Sequence, residues 1–137
     1  MSYAGINLFS VLAAASAALF FGILWYSLVM VPRTGAVGRR MRDVFARTRD
    51  IGVGGVLGAA AAKLIMAFCL ARLLVAFDSV SAGNGVALGL YLWIGFVATT
   101  LVVTHRFEHR RWRVTLQDAI YWLIIMVLEG AIIGFLG

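Results

Sequence analysis

The sequence predicts an all-α membrane protein, a bundle of four transmembrane helices, and three observations carry that reading. Of its 137 residues, 63% are apolar with glycine left out and 13% are charged, against about 45–50% (glycine included) and about 25% in soluble domains. The mean hydropathy is +0.97. Thirteen of the eighteen charged residues crowd into two stretches, 32–50 and 105–116. A soluble globular domain and a disordered chain are thereby excluded. One cysteine and one proline exclude a disulfide scaffold, a cysteine zinc site and a proline-rich linker.

The spans follow in order. Residues 5–31 carry no charge, 51–76 carry only Lys63 and Arg72, 84–104 carry none, and 117–136 carry only Asp118 and Glu129. A hydrocarbon core of about 30 Å takes roughly 20 helical residues, so each run is long enough to cross. The predicted helices are 5–31, 51–76, 84–104 and 117–136, in a single transmembrane domain over 1–137. A β-barrel needs short segments alternating between faces, and runs such as Ala59–Ala62 and Leu123–Leu128 do not alternate. In lipid a helix satisfies its own backbone. The first run is too long for a signal peptide and has no basic residues ahead of it, so it is expected to stay in the mature chain.

The charges also predict orientation. The first connection holds Arg33, Arg39, Arg40, Arg42, Arg47 and Arg49 against Asp43 and Asp50; the third holds Arg106, Arg110, Arg111 and Arg113 against Glu108. The positive-inside rule places both basic loops, 1 and 3, in the cytoplasm and both termini outside. Trp25 with Tyr26, and Tyr121 with Trp122, are expected in the interfacial aromatic belt. The basic balance (pI about 10.5) points to anionic lipid headgroups of the bilayer rather than to nucleic acid, because topology already accounts for the arginines.

Small residues recur at steps of four: Ser10, Ala14, Ala18 and Gly22, and the pairs Gly54/Gly58, Gly85/Gly89 and Gly130/Gly134. Residues four apart share a helix face, where small side chains let backbones approach. Packing inside one bundle and a face for a second copy are both open.

Charge inside lipid is costly, about 2.5–3.5 kcal/mol at mid-bilayer. Lys63 and Glu129 each lie twelve residues past the start of their predicted spans, about 18 Å above the same boundary. They are predicted to form an intramembrane pair. Asp118, Trp122, Ile125 and Glu129 share one stripe of the last span, and Tyr91, Gly95 and Thr99 a semi-polar stripe of the third. A polar path through the bundle and a structural ion pair that fixes register both fit. The pair predicts that replacing Lys63 alone destabilises strongly and that replacing both costs less than the sum.

His105 and His109 are four apart with Glu108 between them, a spacing that puts two rings on one helix face. No third local ligand joins them, Arg106 and Arg110 repel a cation, and no metal or cofactor is expected. Cys69 reads as an inert apolar-face thiol. The chain has no phosphate-binding loop, dinucleotide fingerprint or nucleophile triad.

Several short motifs together resemble the bacterial domain-of-unknown-function family 1761. They are Gly22-Ile23-Leu24-Trp25-Tyr26-Ser27, Trp93-Ile94-Gly95-Phe96, Phe107-Glu108 and Tyr121-Trp122. The resemblance covers nearly the whole chain. It implies small four-helix integral membrane proteins of the bacterial inner membrane and implies no particular activity. Three roles stand open: a non-catalytic homo-oligomer or accessory subunit of a membrane complex; a small oligomeric transporter or channel using Lys63, Glu129 and Asp118; and a lipid-acting enzyme using His105, Glu108 and His109.

Overall fold

The computed structural model describes residues 2–3, 5–30 and 37–137. Two-residue strands β1 (Ser2–Tyr3) and β2 (Ile6–Asn7) pair antiparallel across Gly5, whose φ of +80° an L side chain rarely adopts. Helix α1 (Leu8–Trp25) starts where the Asn7 side chain accepts a hydrogen bond from the Phe9 amide at 3.1 Å, and continues as a π-helical turn, Tyr26–Met30. Helix α2 (Val37–Ala76) is broken at Gly52, whose φ/ψ of 73°/169° is not helical. Helix α3 (Ala82–Leu92) is capped by the Ser81 hydroxyl, which accepts from the Asn84 amide, and runs through a π-helical stretch, Trp93–Ala98, into α4 (Thr99–Phe107). Helix α5 (Trp112–Leu136) closes the bundle.

Four stretches are long and apolar enough to cross a membrane: Leu8–Val29, Gly52–Ala76, Ala82–Phe107 and Trp112–Leu136. They match the four predicted spans, with two revisions. The third connection shrinks to four residues, 108–111, because His105 and Arg106 lie in the last turn of α4, where cations suit the helix dipole. The first connection is not simply a loop. Its residues 37–50 are helical, while residues 31–36, with Arg33, lie outside the described residues.

Helix α5 touches all the others. Its tightest seam is with α3, antiparallel, where bare backbone meets bare backbone: Gly85 against Gly130, Gly89 against Met126 and Val127, Gly134 against Ser81. A Cβ at Gly89 would come to 2.5 Å from the Met126 carbonyl oxygen. Gly85, Gly89, Gly130 and Gly134 therefore serve packing inside the chain. Gly54 and Gly58 have no atom of the described residues within 4 Å of such a Cβ. On the α1 side, Val11, Ala14 and Ala15 meet Ala67, Leu70, Ala71 and Leu74 of α2 and Met126 and Ile133 of α5 in one core.

Candidate functional site

The packed face of α2 reads Lys63, Ala67, Leu70, Ala71, Leu74, in which 63/67/71 and 67/70/74 are spaced by three or four and keep one helical stripe inward. Lys63 is its lowest member and is 5% exposed. Its ammonium lies over two ring faces of α5, 4.0 Å from the Trp122 centroid and 5.0 Å from that of Tyr121. Tyr121 is the hub of an aromatic cage. Trp122 stands edge-on to it at 5.2 Å, and Phe21, Trp25 and Tyr26 from the end of α1 approach to 6.1, 6.0 and 5.9 Å. Gly22 makes room: a Cβ there would lie 3.0 Å from the Tyr121 hydroxyl. A desolvated ammonium over a ring gains about 2 kcal/mol, which offsets part of the cost of burying Lys63.

Tyr121 is only 8% exposed and Trp122 is partly buried, so both rings turn toward the bundle. Trp25 joins them, while Tyr26 is 48% exposed.

Glu129 is fully buried, and among the described residues neither of its carboxylate oxygens has a hydrogen-bond partner; the Lys63 ammonium and the Trp25 indole N–H are likewise buried without one. Lys63 and Glu129 thus face the same interior, but they do not close into a contact ion pair. Side chains lean toward the N-terminus of their helix, and the four-carbon stem of Lys63 carries its charge to the level of Trp122.

Below the cage, near the basic connection, His105 is buried and ties α4 to α5. Its Nδ1 lies 3.1 Å from the Thr115 hydroxyl, and its Nε2 faces the Asp118 carboxylate at 3.6 Å. Arg106 donates to the same Thr115 hydroxyl at 3.0 Å, and its guanidinium stacks 3.8 Å above the Trp112 ring. Losing such a satisfied buried contact costs about 1–2 kcal/mol. His105→Ala is therefore expected to lower the thermal midpoint in detergent while leaving the aromatic near-UV signal of the cage intact.

Along α5 the ionisable groups come in order: Asp118 beside His105, then Lys63 over Trp122, then Glu129. Beyond Glu129 the interior turns apolar, with Ile133, Val11, Leu70, Leu74 and Ile6. Ser10 is buried there too, but its hydroxyl is spent on the Asn7 carbonyl at 2.7 Å.

The semi-polar stripe of the third span does not join this line. Tyr91 is 76% exposed, and the Thr99 hydroxyl donates back to its own helix, at 2.9 Å to the Gly95 carbonyl. Gly85 and Gly89 hold the α5-facing side, and a residue two positions on from Gly89 points away. Trp93 does turn inward and donates its indole N–H to the Ala119 carbonyl at 2.8 Å. His105 and His109 do not share a face either. Helix α4 ends at Phe107, and His109 has a φ of 55°. Glu108 is exposed and accepts from Arg110 Nε at 2.7 Å, and Phe107 is 82% exposed. Among the described residues no three metal-ligating side chains come together.

What the sequence left unread is the cage and the His105 clasp. The signal was present in the lysine's length: a stem laid toward its helix N-terminus ends near the Tyr121–Trp122 level, not at Glu129.

Fold and interior together define a small all-helical protein with four helices fit to cross a membrane. The chain belongs to DUF1761, a family described as protein of unknown function, which matches residues 9–134. No curated protein and no solved structure matches the chain.

Proposed function

We propose that the chain is a non-catalytic multi-pass protein of the bacterial inner membrane that moves protons or a small ion along the line Asp118–Lys63–Glu129, working as a homo-oligomer. The observation that carries the reading is the burial of Glu129 with both oxygens unpartnered, on one line with a second unpartnered charge. Buried groups of this kind are uncommon and mark functional sites or places filled by water or an ion. Four helices are few for a complete pathway, which is why more than one copy is invoked. The positive-inside rule sets the basic end in the cytoplasm and both termini outside, so the line enters from the cytoplasmic side.

The test is ion flux in proteoliposomes, read with an internal pH dye under an imposed potential. The wild type is expected to dissipate the gradient faster than empty vesicles. Glu129→Gln is expected to cut that rate at least tenfold, and Tyr91→Phe and Thr99→Val, which lie off the line, to leave it unchanged. A wild-type rate equal to that of empty vesicles overturns the reading.

One observation favours a second reading, an accessory subunit of a membrane complex. The Gly54/Gly58 face of α2 has open space against it, and small residues in lipid are where helices meet. Native mass spectrometry after gentle extraction distinguishes the two: a mass containing a second polypeptide supports the subunit, and a homo-oligomer supports the transporter.

A further inference from the structure

The helical arm ahead of Gly52 carries an inference independent of the ion path. The sequence from 37 to 51 holds five arginines and two aspartates, yet it is helical up to the break at Gly52. On a helix of 3.6 residues per turn, positions 37, 41, 44, 45, 48 and 51 fall on one face. They are Val, Met, Val, Phe, Thr and Ile. Positions 39, 42, 43, 46, 47, 49 and 50 fall on the other, which holds four of the five arginines and both aspartates.

Phe45 is 64% exposed, as are Arg42 and Arg49 to a comparable class of exposure, so the bundle covers none of the three. Phe45 and Arg49 line an open cleft at the elbow together with Gly52, Val53, Val56 and Leu57. A helix with a narrow apolar face and an arginine-rich opposite face is built to lie in a membrane interface. The occupant is fixed by connectivity as well as by charge. Gly52 begins a stretch fit to cross a membrane, Gly52–Ala76. The backbone there has the φ/ψ of a bend, so the arm turns off the axis of the span at the level of the headgroups.

We infer that residues 37–51 form an interfacial helix that docks on anionic phospholipid, its Phe45 face dipping among the acyl chains and its arginines engaging phosphates. Each arginine near an anionic surface contributes about a fivefold gain in partition.

The test uses the full chain with Cys69→Ser and a single new cysteine, Thr48→Cys on the apolar face or Ala46→Cys on the polar face, each labelled with an environment-sensitive fluorophore. The protein is placed one copy per nanodisc in phosphatidylcholine, with or without phosphatidylglycerol. With phosphatidylglycerol, the label at 48 is expected to shift to the blue and to be quenched by a shallow nitroxide lipid, while the label at 46 stays water-like. Arg42→Gln with Arg49→Gln is expected to lower that partition at least tenfold, and high salt to lower it for the unmodified arm. A label at 48 that stays water-like in phosphatidylglycerol overturns the inference. So does shielding that appears only in discs holding two copies, which would make the face a protein contact. Neither outcome bears on ion flux, so the two proposals stand or fall separately.

Discussion

Gly130→Val is expected to leave no folded bundle. A Cβ at this position overlaps the Gly85 carbonyl, and the reciprocal Cβ at Gly85 overlaps the Gly130 carbonyl. The obstacle is backbone on both sides, so no rotamer change relieves it. Overpacking against side chains that can shift costs about 1–3 kcal/mol; here two helices must separate along a seam that includes Gly89 and Gly134. The loss is expected to exceed that range, seen as aggregation on size exclusion and a lost thermal transition. Gly54→Val and Gly58→Val are the controls, since among the described residues nothing lies within 4 Å of a Cβ at either position. They are expected to keep the fold, and Gly54→Ala and Gly58→Ala to gain about 0.5–1 kcal/mol of helix stability each. A well-folded Gly130→Val would show that the α3–α5 seam is wrong.

The second large effect is an asymmetry between the two buried charges. Lys63→Met leaves Glu129 buried with no compensating charge in the interior, and stripping one partner from a buried set of charges costs about 3–5 kcal/mol. Glu129→Gln leaves an ammonium that keeps the faces of Trp122 and Tyr121, so its cost is expected nearer 1 kcal/mol. The double variant Lys63→Met/Glu129→Gln removes both charges and is expected to cost about 1 kcal/mol, well under the sum of the two single variants, because removing buried charges together spares the penalty of leaving one of them alone. Equilibrium unfolding of the four proteins in mixed micelles gives the cycle. Strict additivity would show that the two charges do not feel each other. Equal costs for the two single variants would show that the aromatic cage does not hold the lysine.

Most of the architecture was legible because lipid leaves few choices. Uncharged runs of the right length have to be helices, and their flanking arginines mark their ends. The glycine pairs at 85/89 and 130/134 announced a close seam, though not that they would meet one another. Two things were hidden. Composition made 32–50 look like a loop, since arginine density masks a helical period that only the alternation of Val37, Met41, Phe45 and Ile51 reveals. Matching depth made Lys63 and Glu129 look like a contact pair, because residue counts place Cα atoms, and the ammonium sits a long stem away from its own. The His105 contacts with Thr115 and Asp118 span ten and thirteen residues across a reversal of direction, and no local pattern encodes such a meeting.

The central place of α5 has a consequence for synthesis. The ribosome makes this helix after the other three spans, yet each of them leans on it, and it supplies both Trp122 and Glu129. Until it emerges, Lys63 has entered the bilayer with neither ring face nor carboxylate to shelter it, and the bare strip of Gly85 and Gly89 has no mate. The first three spans are therefore a waiting assembly, complete only when residues 112–136 join them.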